Sequence, residues 1–156
     1  MNAAGRLDRP AEILLVEDSL DDVQLAKLAF DEIDVAHHLH VVHDGQQAMA
    51  FLRREGDYAE APRPDLVLLD LNMPIKDGRE VLKDIKQDPD LRRIPVIVLT
   101  MSDSAMDRLI AYSQHANAYL VKPLELDEWF ETVRGISLFW LKLVRHSPSV
   151  AGTASP

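Results

Sequence analysis

The chain has 156 residues, 47% hydrophobic and 28% charged, which fits one globular domain and leaves too little length for two. The net charge of −9 disfavours nucleic acid as a partner, because no basic cluster is large enough to overcome repulsion from phosphate backbones. No apolar run could cross a bilayer, the N-terminal stretch lacks the apolar region of a signal peptide, and cysteine is absent. We therefore expect a cytoplasmic protein without disulfides, thiolate metal sites or a membrane partner.

Five apolar runs rich in β-branched residues alternate with segments of helical periodicity. The runs cover residues 13–16, 39–42, 66–69, 96–99 and 118–121. Three of them are nearly continuous apolar segments, which suits strands covered on both faces of a parallel sheet. The alternation predicts an α/β fold of the flavodoxin-like type, in which five βα units form a doubly wound parallel sheet with strand order 2-1-3-4-5 and an extended last helix.

Each of the first four helical segments begins at a residue that can cap it. These residues are Ser19, Asp44, Asp77 and Ser104. The fifth helix is expected from about residue 126 towards residue 144. Small, polar or proline-bearing ends predict flexible tails over 1–10 and 147–156, with one folded domain between them over 11–146.

Polar side chains stand at the ends of four of the five predicted strands. Glu17 and Asp18 follow the first strand, Asp70 the third, Thr100 ends the fourth and Lys122 follows the fifth. Taken singly, each is better interpreted as a helix cap, an ordinary strand threonine or a surface lysine. Because the carboxyl ends of parallel strands meet at one edge of the sheet, their coincidence favours a single site.

The predicted site has the parts that phosphoryl transfer to a carboxylate requires. Three close carboxylates repel one another and attract a hard cation, for which Mg²⁺ is the natural choice. Asp70 can act as nucleophile towards phosphorus if the charge on the transferring oxygens is neutralised. Lys122 can supply positive charge and Thr100 a hydrogen bond to those oxygens.

Four segments of the chain resemble the CheY-like receiver domains of two-component response regulators. They are ILLVEDS, LVLLDLNMPIKDG, IPVIVLTMS and AYLVKP, and the resemblance covers residues 12–144. It implies Asp70 as the phosphoacceptor, with Thr100 and Lys122 contacting the phosphoryl group. It implies that Mg²⁺, or Mn²⁺ in its place, is bound by Glu17, Asp18, Asp70 and the backbone carbonyl of Asn72. It also implies that Tyr119 is an aromatic switch and that the bond before Pro123 is cis.

Finer features resemble the single-domain regulators that pair with bacterial phytochrome histidine kinases. These features are the stretches MPIKDGREVL, EGDYAEAPRP and ISLFWLKL. Two residues depart from the family pattern, since His115 stands where many receivers have glycine and Met101 where a smaller residue is frequent. If His115 is left-handed, it costs on the order of 1 kcal/mol relative to glycine. Met101 would change access to the site and the lifetime of the phosphoryl group. Asn72 and Ser102 would flank an attacking water and so affect self-dephosphorylation.

The resemblance implies a signalling protein rather than an enzyme acting on external substrates. A histidine kinase phosphohistidine would donate to Asp70, a histidine phosphotransfer protein could share the relay, and no output module is expected after Lys122. Phosphatases of the haloacid-dehalogenase type need a second aspartate two positions after the nucleophile, where this chain has Asn72. A pseudo-receiver would lack the acceptor or the acids, and a flavin-binding flavodoxin would need a phosphate loop after the first strand.

Two further patterns concern surfaces. Histidines at positions 37, 38, 40 and 43 lie close together, and His38 and His40 would share a face of the second strand. That strand is expected at the sheet edge, and we favour a solvated edge over a metal site there. The last helix carries a core stripe at helical spacing, but Leu138, Phe139 and Leu141 lie off it. This predicts a homodimer through the fourth helix, fifth strand and fifth helix; the alternative is an added turn that folds back on its own domain.

Overall fold

The structure, a computed structural model, describes residues 9–143 except for the side chain of Leu143. Its strands are β1 (Ala11–Val16), β2 (His37–Val42), β3 (Leu66–Leu69), β4 (Val96–Thr100) and β5 (Ala118–Val121). Its helices are α1 (Leu20–Asp31), α2 (Gly45–Arg53), α3 (Gly78–Gln87), α4 (Ala105–Ser113) and α5 (Leu126–Ile136). Short 3₁₀ turns cover Gly56–Tyr58 and Leu91–Arg93. The predicted tails lie outside the described residues except for positions 9–10, so they and the boundaries of 11–146 remain predictions.

The five strands form one parallel sheet in the order β2-β1-β3-β4-β5, as predicted. Buried side chains form a separate core on each face of the sheet. One core joins α2, α3 and the single buried residue of α4, and the other joins α1 and α5. This is the doubly wound flavodoxin-like arrangement, in which β3 and β4 are buried at every residue because helices cover both faces.

The predicted helix caps are confirmed, and they fix where the chain turns after each strand. Ser19, Asp44, Asp77 and Ser104 all have extended backbone and accept a hydrogen bond from an amide in the first turn of α1, α2, α3 and α4. Such caps satisfy amides that the helix itself leaves without partners. Ser19, Asp44 and Ser104 follow a strand within four residues, whereas a longer loop separates β3 from Asp77.

The last helix extends beyond Ile136 as predicted, but over Ser137–Leu143 it is a π-helix, so the predicted core stripe was partly wrong. A π turn has more residues than an α turn, so it shifts the side chains by one position relative to the expected stripe. Leu141, expected off the stripe, is therefore only 5% exposed and packs in the core beside Ile136. Leu138 and Phe139 do lie outside the core and are half exposed. Within residues 9–143, no helix combines the length and apolar character that crossing a bilayer would need.

Candidate functional site

The carboxyl ends of the strands bring together the polar residues that the sequence predicts for the site. Glu17, Asp70, Thr100 and Lys122 are all buried, with 2%, 8%, 0% and 7% of their surfaces exposed, whereas Asp18 is exposed. Burying three charged side chains is costly unless they are paired. Their convergence at one edge therefore indicates a built site rather than unrelated caps.

Lys122 is the centre of the charge pairing. Its Nζ forms an ion pair with Glu17, lies 2.9 Å from Asp22 Oδ2 and 3.4 Å from Asp70 Oδ2. Asp22 was not among the predicted site residues; it lies in the first turn of α1, where acids interact favourably with the helix dipole. Its position in that first turn, directly after the acidic strand end, was the signal that could have placed it beside the site. The lysine therefore has three carboxylate partners rather than one.

Burial and pairing shift the proton affinities of this pair. Burial raises the pKa of Glu17 to about 7, although the Lys122 ammonium acts in the opposite direction. Burial alone would lower the pKa of Lys122, but the hydrogen bonds to Glu17 and Asp22 and the charge of Asp70 outweigh it and raise the pKa. The lysine is therefore charged at neutral pH, while Glu17 is a carboxylate that readily takes a proton.

The carboxylates are arranged as a divalent cation would need them. One oxygen from each of Glu17, Asp18 and Asp70 lies within 4.8 Å of the others. All-oxygen donor sets with one exposed side are what Mg²⁺ and Mn²⁺ prefer, because such ions keep some of their water. The residues present thus fit a divalent cation. Asn72 lies beside these acids, and its backbone amide donates to Asp70 Oδ1 at 3.3 Å. The role of its backbone carbonyl as a metal ligand stays a prediction.

Thr100 and Tyr119 meet at Ser102 rather than directly. The Ser102 amide donates to Thr100 Oγ1 at 3.5 Å, and the Tyr119 hydroxyl donates to the Ser102 carbonyl at 2.8 Å. The ring of Tyr119 is half buried against the core on the α2–α4 face. The structure therefore places the predicted phosphoryl contact and the predicted aromatic switch two hydrogen bonds apart.

The loop between β3 and α3 is held close to Asp70 at one point and is strained at another. A Cβ built on Gly78 would lie 2.1 Å from the Asp70 carbonyl oxygen, so only glycine permits this approach. Ile75 has a φ of 66° while its side chain is 77% exposed. A β-branched residue in the left-handed region is a true outlier, and nothing in the core compensates for it.

Two backbone expectations have opposite outcomes. His115 has a φ of 67°, so the left-handed conformation considered for it after α4 is the one that it adopts. The expected cis bond before Pro123 is wrong, because no peptide bond within the described residues is cis. Trans is the favoured isomer even before proline, and Lys122 reaches Glu17, Asp22 and Asp70 with it.

The histidines of β2 do not join the site at the strand ends. His38 Nδ1 and His40 Nε2 lie 2.8 and 2.6 Å from the two carboxylate oxygens of Glu12 on β1. This pairing was not predicted from the sequence, because it depends on the strand register that sets Glu12 opposite His38. Among the described residues, the three acids at the strand ends form the only metal-compatible cluster of histidine, cysteine or carboxylate side chains. His37, on the same strand, contacts the ring of Phe30.

An apolar groove of about 320 Å³ opens beside Lys122. It lies between α1 and the start of α5, and its apolar lining consists of Leu25, Met101, Pro123, Leu124, Leu126 and Trp129. Leu124 is 86% exposed, so the chain presents apolar surface next to its most buried charges. Such a surface next to a polar site is typical of partner contact.

Comparison with known proteins identifies the family to which this geometry belongs. The family model described as the response regulator receiver domain matches residues 13–134. The chain belongs to this family. It is 50% identical over 135 residues to response regulator Rcp1 of a Synechocystis species, a match that covers 86% of this chain and 92% of the relative.

Two solved structures of similar proteins resemble this one closely. The phosphorylated cyanobacterial phytochrome response regulator RcpA has a TM-score of 0.86 and 47% identity, over 89% of this chain and 99% of that one. The Mn²⁺-bound form of Rcp1 has a TM-score of 0.85 and 49% identity, over 89% of this chain and 100% of that one. The resemblance to receivers of phytochrome response regulators, predicted from the sequence, is confirmed.

Proposed function

We propose that the protein is a phosphoacceptor of a two-component relay, in which Asp70 takes a phosphoryl group from a kinase phosphohistidine. The observation that carries this proposal is the cluster itself: Asp70 has a carboxylate oxygen within 4.8 Å of oxygens of Glu17 and Asp18, and the Lys122 ammonium lies 3.4 Å from Asp70 Oδ2. A phosphoryl group bonded to Asp70 would therefore meet positive charge from the lysine.

In the proposed transfer, an Asp70 oxygen forms the bond to phosphorus while the bond from phosphorus to the donor imidazole nitrogen breaks. The leaving imidazole keeps that electron pair and becomes neutral or takes a proton from water. Lys122 and Thr100 would contact two phosphoryl oxygens. Glu17, Asp18, Asp70 and the Asn72 carbonyl would bind Mg²⁺, which supplies positive charge to the phosphoryl oxygens when bound.

The test is incubation with acetyl phosphate and Mg²⁺, followed by intact-mass measurement. We expect one phosphoadduct in the wild type, none in Asp70→Asn, and a normal adduct in Asp57→Asn, whose carboxylate lies in the 3₁₀ turn away from the site. An adduct that survives in Asp70→Asn would contradict the proposal. Release of phosphate from a panel of external phosphomonoesters would favour an enzyme instead, although Asn72 stands where such phosphatases need an aspartate.

We further propose that the donor is a phytochrome-type histidine kinase in the cytoplasm. The support is the similarity to Rcp1 and RcpA together with the apolar groove beside Lys122, where a helix carrying the phosphohistidine could dock. Phosphotransfer from a purified phytochrome kinase should outpace transfer from an unrelated histidine kinase. Equal rates from both would contradict this pairing, and faster transfer from a histidine phosphotransfer protein would assign the direct donor to that class.

The dimer predicted from the sequence is also kept as a proposal. Exposed apolar side chains lie on α4 and on the π-helix, and the largest are Met106, Leu109, Tyr112, Leu138 and Phe139. A second copy could cover this face. Sedimentation of wild type and Phe139→Asp, with and without beryllofluoride, is the test, and Leu28→Asp on the exposed side of α1 is the control. A monomeric wild type under both conditions would reject the dimer.

A further inference from the structure

We propose that Arg79 and Asp107 form a latch that holds Ser102, and with it the loop after β4, in the unphosphorylated arrangement. The inference rests on the proposed function, because it concerns how readily phosphorylation of Asp70 is coupled to movement of that loop. It assigns a positioning role to two charged residues that neither contact the predicted cation nor reach the acceptor.

Ser102 is the residue at which three parts of the molecule meet. Its amide donates to Thr100 Oγ1, its carbonyl accepts from the Tyr119 hydroxyl, and its own hydroxyl donates to Asp107 Oδ2 at 2.6 Å. Any movement of Thr100 towards a phosphoryl group on Asp70 would therefore act on Ser102 first. The contacts with Tyr119 and Asp107 both hold Ser102, and the one with Asp107 is the contact that ties it to α4 and, through Arg79, to α3.

Asp107 is itself fixed from the opposite side. Its Oδ1 accepts from Arg79 Nη2 at 2.7 Å, and the same guanidinium lies 3.1 Å from Asp77 Oδ2 through Nη1. The hydrogen bonds from Ser102 and Arg79 hold the pKa of Asp107 below its usual value, so it stays a carboxylate. The chain of contacts thus runs from the cap of α3, beside the phosphoacceptor loop, to the first turn of α4.

For two reasons, the Arg79–Asp107 pair should hold its surroundings more strongly than a surface ion pair usually does. The side chains of Arg79 and Asp107 are only 28% and 18% exposed, so solvent and salt screen them less than an open pair. In α4 only Ala111 is buried, so few apolar contacts hold that helix in place. The latch is therefore a substantial part of what fixes the start of α4.

The direction of the effect follows from linkage. A contact made in one of two states favours that state, and a ligand that binds the other state must overcome it. If Ser102 leaves Asp107 when Thr100 turns to the phosphoryl group, the latch lowers the apparent affinity for any phosphoryl analogue. Breaking the latch should raise that affinity.

The experiment measures binding of beryllofluoride with Mg²⁺, followed by tryptophan fluorescence, since Trp129 lines the groove beside Lys122. We expect Arg79→Gln and Asp107→Asn each to lower the half-saturating concentration about fivefold. The double variant should gain no more than either single one, and Arg79→Lys should lie close to wild type. The control is Arg63→Gln. It removes a partly buried arginine that pairs with Asp90 and lies in the loop before β3, near the amino end of that strand, and it should leave the affinity unchanged.

Two outcomes separate the latch from the function on which it rests. If wild type binds beryllofluoride and the latch variants lose thermal stability but keep or weaken this affinity, the pair is merely structural and the latch is overturned. If wild type neither binds beryllofluoride nor forms a phosphoadduct with acetyl phosphate, the phosphoacceptor role itself fails.

Discussion

Glu17 combines burial, an ion pair with Lys122 and a position among three carboxylates. Its folded pKa of about 7 lies above the ordinary value of 4.5, so between these values the folded protein binds a proton that the unfolded chain does not. The resulting stability is fully present below about pH 4.5 and is lost as the pH rises through 7. In metal-free protein, the stability of wild type relative to Glu17→Gln should therefore fall between pH 5 and 7.5.

This prediction is measured by urea denaturation in EDTA at several pH values, and the difference between the two proteins isolates Glu17 from other titrating groups. Asp88→Asn is the control, because the backbone amides of Leu91 and Asp90 hold the pKa of Asp88 below its usual value, so its difference should not fall in this range. A difference that grows with pH for Glu17→Gln would contradict the assignment.

His115 provides a second prediction for a single residue. Because it is exposed and left-handed, His115→Gly should raise the free energy of unfolding by about 0.5–1 kcal/mol. Ser113→Gly, in the last turn of α4 with helical backbone, should lower it by a similar amount. Thermal denaturation of both variants checks the prediction, and a destabilised His115→Gly would show that the imidazole makes a contact of its own.

Among the secondary-structure elements, the π-helix shows most clearly what the sequence could not determine. A stripe at α-helical spacing predicted six core residues, of which Trp129, Val133 and Ile136 are buried and Phe130 and Trp140 are partly buried against the same core, while the side chain of the sixth, Leu143, lies outside the described part. The change from an α-helix to a π-helix after Ile136 cannot be recognised from the spacing of hydrophobic residues. The segment is apolar at most positions, so a shift of one position only exchanges one buried apolar residue for another. Leu141 therefore entered the core unpredicted.

Truncation of two leucines tests this shift of the helix face. Leu141→Ala should lower the free energy of unfolding by about 2 kcal/mol or more, since it removes a buried side chain and leaves a cavity. Leu138→Ala, three residues earlier and half exposed, should change it by less than about 0.5 kcal/mol. Equal losses measured by chemical denaturation of dilute protein would mean that the helix keeps α-helical spacing to its end.

At the scale of the whole molecule, the sheet topology and the meeting of Glu17, Asp70, Thr100 and Lys122 were predictable because parallel strands put their carboxyl ends on one edge. What escaped prediction depends on register and side-chain direction. Asp22 reaches Lys122 across the site, and Glu12 reaches two histidines across a strand pair. A linear sequence does not show which of many surface acids will make such contacts.

A cation should stabilise the entire fold, because its predicted ligands come from β1, β3 and the loops that follow them. Mg²⁺ at about 100 times its Kd should add roughly 2.7 kcal/mol by mass action and raise the Tm. NaCl at equal ionic strength is the control, since the net charge of −9 also responds to screening. Asp18→Asn should lose most of the Mg²⁺ effect and keep the NaCl effect, and a Tm indifferent to Mg²⁺ in wild type would count against the metal site.

The glycine that touches the Asp70 carbonyl has a consequence for how this protein can evolve. Any added carbon at Gly78 would enter the Asp70–Leu71 peptide, whereas one at Gly135 would meet nothing within 4 Å. In a library of all single substitutions selected for signalling, position 78 should tolerate no replacement, while position 135 accepts alanine freely. Substitution at the proposed phosphorylation site is thus restricted by a residue without a side chain as strictly as by the acids around it.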